Sequence, residues 1–236
     1  MRRLLATVRC DVTLQLRHGF YYATAFVLIF CVVVVSRIPS GDLSWLLPAL
    51  LLGNLLLNTF YFIGGLILLE KGEGTLEAQV VTPLRTWEYL ASKVATLTLL
   101  GLVENTVIVT LLVGLGFNLP PLAASLVLTG ALYCLAGVIV VVRYHSINEY
   151  LMPSVLYTSI LLAPLLSYLP QWDTWLLYLH PLQATLLLAQ SAFHPVARWQ
   201  AIYGVLYSTL WIGLLAYFSR RAFVRFIVAG AGRKLR

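Results

Sequence analysis

Six apolar runs, each close to the length that crosses a bilayer, constrain this chain more than any other feature. They cover residues 20–36, 45–69, 93–116, 121–142, 150–169 and 201–218. About 20 apolar residues in a helix span the ~30 Å hydrocarbon layer. Inside that layer every backbone N–H and C=O must bond within the chain, so runs of this kind become helices. The expected fold is an all-α integral membrane protein with six transmembrane helices. Hydrophobic residues make up 60% of the chain and charged residues 11%, which excludes an ordinary soluble domain.

The first 19 residues differ in kind. Leu5, Val8, Val12 and Leu16 recur at helical spacing, while Arg2, Arg9, Asp11 and Arg17 occupy other positions. This pattern predicts a short amphipathic elbow helix lying in the membrane interface, its basic side chains reaching lipid headgroups. The first apolar run follows about twenty mixed residues with no small-residue cleavage pattern, so no signal peptide is expected.

Charge sets the orientation. Fourteen of the sixteen Lys and Arg residues fall on one side: the N-terminal helix, the stretch with Lys71, Arg85 and Lys93, then Arg143, then a basic tail over 219–236. Only Arg37 and Arg198 fall on the other. The positive-inside rule puts both termini in the cytoplasm of a multi-pass protein of the cell membrane. The net charge of +7 is therefore a topology signal and a contact for anionic lipid, and no nucleic-acid motif accompanies it. Cys10, Cys31 and Cys134 are scattered without disulfide or metal spacing.

The long extracytoplasmic segment 170–200 holds an apolar stretch, 182–192, that is too short to span. His180-Pro181 and His194-Pro195 bound it, and Trp172, Trp175, Tyr178 and Trp199 surround it. A re-entrant or interfacial helix within an aromatic belt is expected here.

Between the second and third runs lies a polar island, residues 70–92, with four of the nine acidic residues. Gly72 and Gly74 give a flexible exit, Pro83 breaks a cytoplasmic helix, and Thr86 is placed to cap the next, with Tyr89 and Leu90 turned towards the membrane. Glu73, Glu77 and Glu88 would face water or a basic partner. Glu104, beside Asn105, is a carboxyl deep inside a span, where a charge is costly. Asn54 and Asn58, one turn apart in the second span, could bond to it. These four residues either glue helices together or line a cavity that attracts a cationic, amphipathic substrate. His145 and Glu149 have metal-compatible spacing but no third ligand, and with Arg143 and Asn148 they form a second, smaller cytoplasmic contact. Gly130, Cys134 and Gly137 share a helix face that would allow close packing.

Three pieces of the island carry a resemblance. Glu70-Lys71-Gly72-Glu73-Gly74-Thr75-Leu76-Glu77, then Val81-Thr82-Pro83-Leu84, then Glu88-Tyr89-Leu90-Ala91-Ser92-Lys93 resemble the cytoplasmic segment after the second span of ABC-2-type transporter permeases. The motif is also similar to that of permease subunits of the fluoroquinolone-exporter group. The elbow, the six spans and a re-entrant stretch before the last fit the same family. His180-Pro181 resembles its Asn-Pro, although His replaces Asn and no role of that Asn carries over. The resemblance implies that Glu70, Glu73, Gly74, Thr75, Leu76, Glu77, Thr82, Pro83, Arg85 and Glu88 form a surface coupling the permease to a separate ATPase. No phosphate-binding loop occurs in this chain. ATP and Mg would therefore belong to the partner subunit, and this chain would carry no cofactor, metal or catalytic residue of its own. Six spans imply a second copy or a homologous permease. The expected function is drug or lipophilic-compound export. The competing class, a membrane-embedded protease or acyltransferase, would have to use Glu104, His145, Glu149, His180 or His194, which fall on both sides and in the middle of the membrane.

Overall fold

The computed structural model describes residues 2–38, 43–76, 85–169 and 175–228. Among them all regular structure is helical: α1 (Arg2–Arg17), α2 (Phe20–Val35), α3 (Leu47–Leu55), a π-helical segment (Leu56–Tyr61), α4 (Phe62–Gly72), α5 (Thr86–Val113), α6 (Leu119–Val141), α7 (Ile147–Leu161), α8 (Pro181–Gln190) and α9 (Arg198–Phe223), which runs on as a π turn to Val228.

Four stretches are long and apolar enough to cross a membrane: Leu47–Gly72, Thr86–Val113, Leu119–Val141 and Arg198–Val228. The pair α1–α2, bent by 64°, makes a fifth if counted as one span. The bend sits at Gly19, whose φ of 79° a side chain would disfavour. The other two expected spans, 20–36 and 150–169, do not reach that length as single α-helices. α2 alone has 16 residues, about 24 Å. The run 150–169 is α-helical only to Leu161, then tightens into a 3₁₀ turn over Ala163–Tyr168 that Pro164 opens.

α6 is the hub, packed against α5, α8, α9 and the π segment. Small residues let it do so. A Cβ on Gly137 would stand 3.1 Å from the Phe60 carbonyl oxygen, and one on Gly130 would stand 3.1 Å from the Thr98 methyl. Cys134 lies between them, its Sγ 3.9 Å from the Thr59 carbonyl. The long helices α5, α6 and α3–α4 form the core, while α9 keeps Leu206, Leu210 and Leu214 on an exposed outer face.

The π segment carries a side-chain bond to its own backbone. Thr59 Oγ1 donates to the Leu55 carbonyl at 2.5 Å, the acceptor that the Thr59 N–H would take in an α-helix. The coil widens there, and Asn58 and Thr59 are buried at the widening.

α8 packs into the bundle. Pro181 occupies its first turn, the His180 Nδ1 accepts from the Leu182 N–H at 3.3 Å, and eight of its ten residues are buried. Burial holds the His180 imidazole below its ordinary value, consistent with a neutral ring accepting that bond. The Ala192 carbonyl after α8 accepts from the Asn118 N–H at 2.9 Å, and His194 Nε2 bonds to Ser44 Oγ at 3.0 Å, which tie this end of the bundle together.

Candidate functional site

The site is assembled where α4 ends and α5 begins, at the two roots of the polar island. α4 stops at Gly72, and Gly74 turns the chain with a φ of 70°. Thr75 Oγ1 donates to the Glu70 carbonyl at 3.1 Å, and Leu76 returns to the core. On the other root α5 starts at Thr86. Its N-cap is Arg85, not Thr86: the Arg85 N–H donates to Glu88 Oε2 at 3.0 Å, closing the first turn. Glu77, Thr82 and Pro83 lie outside the described residues.

A buried ionic cluster joins these roots. The Lys93 ammonium, with no exposed surface, donates to Glu70 Oε1 at 2.6 Å and to Asp11 Oδ1 at 2.9 Å. Tyr89 Oη donates to Glu70 Oε2 at 2.5 Å, and Ser92 Oγ donates to Asp11. The Tyr89 ring sits 4.7 Å from the same ammonium. A charge so deeply buried is tolerated only with its partners in place. One turn along α1, Gln15 Nε2 donates to Thr96 Oγ1 at 2.9 Å. α1 therefore turns Asp11 and Gln15 towards α5 and leaves Leu5 and Leu16 exposed.

The structure places three of these groups differently from the sequence expectation. Glu70, grouped with the coupling carboxylates, is 3% exposed and faces inwards. Lys93, counted as a topology charge, is neutralised inside the protein. Tyr89 and Leu90, expected to face the membrane, are buried against protein, Tyr89 beside Phe223 with ring centroids 5.0 Å apart. Of the nominated coupling residues, Glu73, Gly74 and Arg85 are exposed, Thr75 and Glu88 half-buried, and Leu76 buried. Glu73 Oε1 lies 3.5 Å from His18 Nε2.

A neighbouring clamp ties the patch around Arg143 and Glu149 to this cluster. Lys71 Nζ donates to the carbonyls of Val142 at 2.9 Å and Tyr144 at 2.7 Å, capping the end of α6, where the helix dipole is negative. Arg143, His145, Asn148 and Glu149 are exposed just beyond. The His145–Glu149 spacing is a helix cap: the His145 N–H donates to Glu149 Oε2 at 3.1 Å, and Ser146 Oγ accepts from the Glu149 N–H at 3.3 Å.

A second buried polar cluster lies mid-bundle. Asn54 Nδ2 donates to Asn105 Oδ1 at 3.1 Å, and Asn105 Nδ2 donates to the Gly101 carbonyl at 2.7 Å. Asn58 Nδ2 donates to Glu104 Oε2, and Thr24 Oγ1 donates to Asn58 Oδ1 at 3.3 Å. Glu104 is 2% exposed, and among the described residues it pairs with no cation. The structure thus brings all four nominated residues together and adds Thr24. None of the four histidines is hydrogen-bonded to Glu104 among the described residues: His145, His180 and His194 each serve a separate local contact.

The sequence missed Asp11, Tyr89, Ser92 and Lys93 as a unit. Asp11, the one acid on a helix whose other charges are all basic, with Gln15 four residues on, was the available signal.

The sequence matches the fluoroquinolones export permease protein family over residues 2–231. Two curated relatives from Mycobacterium tuberculosis, one in strain CDC 1551 / Oshkosh and one in strain ATCC 25618 / H37Rv, are each named a fluoroquinolones export permease protein. Each is 35% identical to this chain over 235 residues, covering 98% of it and 99% of the relative.

Proposed function

This chain belongs to the fluoroquinolones export permease protein family, and from that membership we propose that it is the membrane subunit of an ATP-binding-cassette exporter, driven by a separate ATPase. Its termini and the island 70–92 face the cytoplasm. Six membrane-embedded segments per chain, α2 and the bent α7 stretch among them, pair with those of a second copy or a homologous permease. The cargo is a small lipophilic drug, of the fluoroquinolone kind for which its relatives are named. No catalytic step falls to this chain, and ATP and Mg belong to the partner.

The observation that carries the coupling reading is the clasp at the base of the island. A loop pushed by a partner moves the bundle only if its roots are stiff. Here both roots are pinned to each other through Glu70, Tyr89 and Lys93, and to α1 through Asp11. Lys71 extends the same block to the end of α6 and the start of α7. A push on the exposed residues Glu73, Gly74 and Arg85 would move α1, α4, α5 and the α6–α7 turn together, the rigid-body motion that alternating access needs. In this reading Glu70 transmits force, and Glu73 and Arg85, with Glu77, make contact.

The test exchanges the charges that face outwards. Permease carrying Glu73→Lys and Arg85→Glu should fold and elute as wild type, while the ATPase that co-purifies with it from the native host falls severalfold and drug export falls with it. Undiminished recovery of the ATPase, or recovery of no ATPase with the wild-type chain, would overturn the coupling surface.

A further inference from the structure

We propose that the cytoplasmic end of α9, together with the turn after α6, is a binding site for the headgroup of an anionic phospholipid. The inference rests on the cytoplasmic placement of this end. A cavity of about 370 Å³ opens there between two helices, lined by Ile139 and Arg143 from the α6 side and by Phe218, Arg221, Arg225 and Phe226 from the α9 side. A second of about 370 Å³ lies round the same helix and shares Arg221 and Arg225, adding Arg220.

Four arginines therefore converge on one helix end. All are exposed, and among the described residues none is paired with a carboxylate. Repulsion between them calls for an anion, and guanidinium groups hold a phosphate by paired N–H donors.

The walls identify which anion. Below the arginines the cavity is made of Ile139 and Phe218, which belong to the membrane-crossing parts of α6 and α9, with Phe226 on its rim. Phe218 and Phe226 are half-exposed, as are Leu214 and Tyr217 along the same helix. A ligand that fills this space has an anionic head at the interface and an apolar tail lying against the outer face of α9. A soluble anion would satisfy the arginines but make no use of the apolar wall beneath them. A phospholipid with a net negative headgroup satisfies both. Arg143 comes from the turn that Lys71 clamps to α4, so a lipid bridging Arg143 and Arg225 would fasten α9 to the block at the root of the island.

The experiment uses the full chain purified in neutral detergent, with thermal unfolding read by intrinsic fluorescence. Dioctanoyl phosphatidylglycerol should raise the midpoint in a saturable way, while dioctanoyl phosphatidylcholine or inorganic phosphate at equal concentration should not. Arg143→Gln with Arg225→Gln should weaken the phosphatidylglycerol response by about 30-fold in half-saturating concentration, about fivefold per arginine. Arg198→Gln, at the opposite end of α9, should leave it unchanged, and Arg143→Lys with Arg225→Lys should keep most of it. An equal shift with phosphatidylcholine would mean an apolar groove only. A shift reproduced by phosphate would mean a simple anion site. A shift kept by the double Gln variant would place the lipid elsewhere. Each of these three overturns the proposal. Should the double Gln variant not fold, each single Gln variant is titrated alone, and an unchanged response in both would count equally against it.

Discussion

Two buried polar clusters lie along α5, Lys93 and Glu104 about three turns apart, and they are built on opposite principles. At the island's root, Lys93 meets two carboxylates, a phenol and a hydroxyl, and each carboxylate accepts from two donors. In mid-bundle, Glu104 has no cation. Among the described residues, its Oε1 and Oδ1 of Asn54 are buried with no hydrogen bond of ordinary geometry. The first cluster is saturated and specifies one arrangement of α1, α4 and α5. The second is a seam of amides and one carboxyl, beside a π-helical widening, with bonding capacity unused. A saturated cluster makes a lever, whereas an unsaturated seam leaves room to rearrange. A transport subunit needs both, and this bundle places them at different depths on one helix.

The comparison breaks most visibly at Lys93. Lys93→Met removes the only cation from between Asp11 and Glu70 and leaves two carboxylates facing each other out of water. The expected cost is about 3–5 kcal/mol, seen as a large drop in melting temperature and in yield of monodisperse protein. Adding Asp11→Asn and Glu70→Gln to Lys93→Met should recover part of the loss, because the orphaned charges are then gone. A Lys93→Met variant as stable as wild type would show that the cluster is not a structural clasp.

Glu70→Gln is gentler. Lys93 keeps Asp11, but Lys93 and Tyr89 donate to different oxygens of Glu70; an amide that keeps its oxygen on Lys93 turns its NH₂ group to the Tyr89 oxygen, whose own O–H then loses its acceptor. Leaving one buried donor unpaired costs about 1–3 kcal/mol, measured as a lower unfolding midpoint. Coupling should suffer more than stability: drug-stimulated ATP hydrolysis by the assembled transporter should fall while the ATPase still co-purifies. That split separates a transmitting residue from a contacting one such as Glu73.

These features were unequally legible. The helical runs, the charge asymmetry and the short helix before the last span follow from periodicity and composition, because each depends on neighbours a few residues apart. Boundaries slipped where polar residues belong to helices: α5 starts at Thr86 because Glu88 caps it, and α9 continues past Phe218 through Arg220, Arg221 and Arg225. Those arginines read as a tail because charge marks the end of a span, yet it need not mark the end of a helix. Asn58 and Glu104 could be paired in advance, since polar groups inside spans must find each other. The Asp11–Lys93–Glu70 cluster could not. Each member lies in a segment whose charge already had a reason, as a headgroup contact, a topology signal or a docking residue. Only tertiary packing shows that the three meet.

The smallest effect is expected from the same substitution in the other cluster. Glu104→Gln keeps an oxygen to accept from Asn58 and replaces the unpartnered Oε1 with an NH₂ group. The Asn54 amide is within reach of that position, and its Oδ1 lacks a donor. The change swaps one polar group for another of the same shape among amides that can both donate and accept, and stability should move by less than about 0.5 kcal/mol, in either direction. This outcome assigns Glu104 to helix packing, since the carboxyl charge contributes nothing the amide cannot. Were transport of a cationic drug lost with the melting temperature unchanged, the seam would open during the cycle and Glu104 would meet the cargo there. A large loss of stability would show that Glu104 is held as an anion, and the contrast between the two clusters would then be one of geometry rather than of charge.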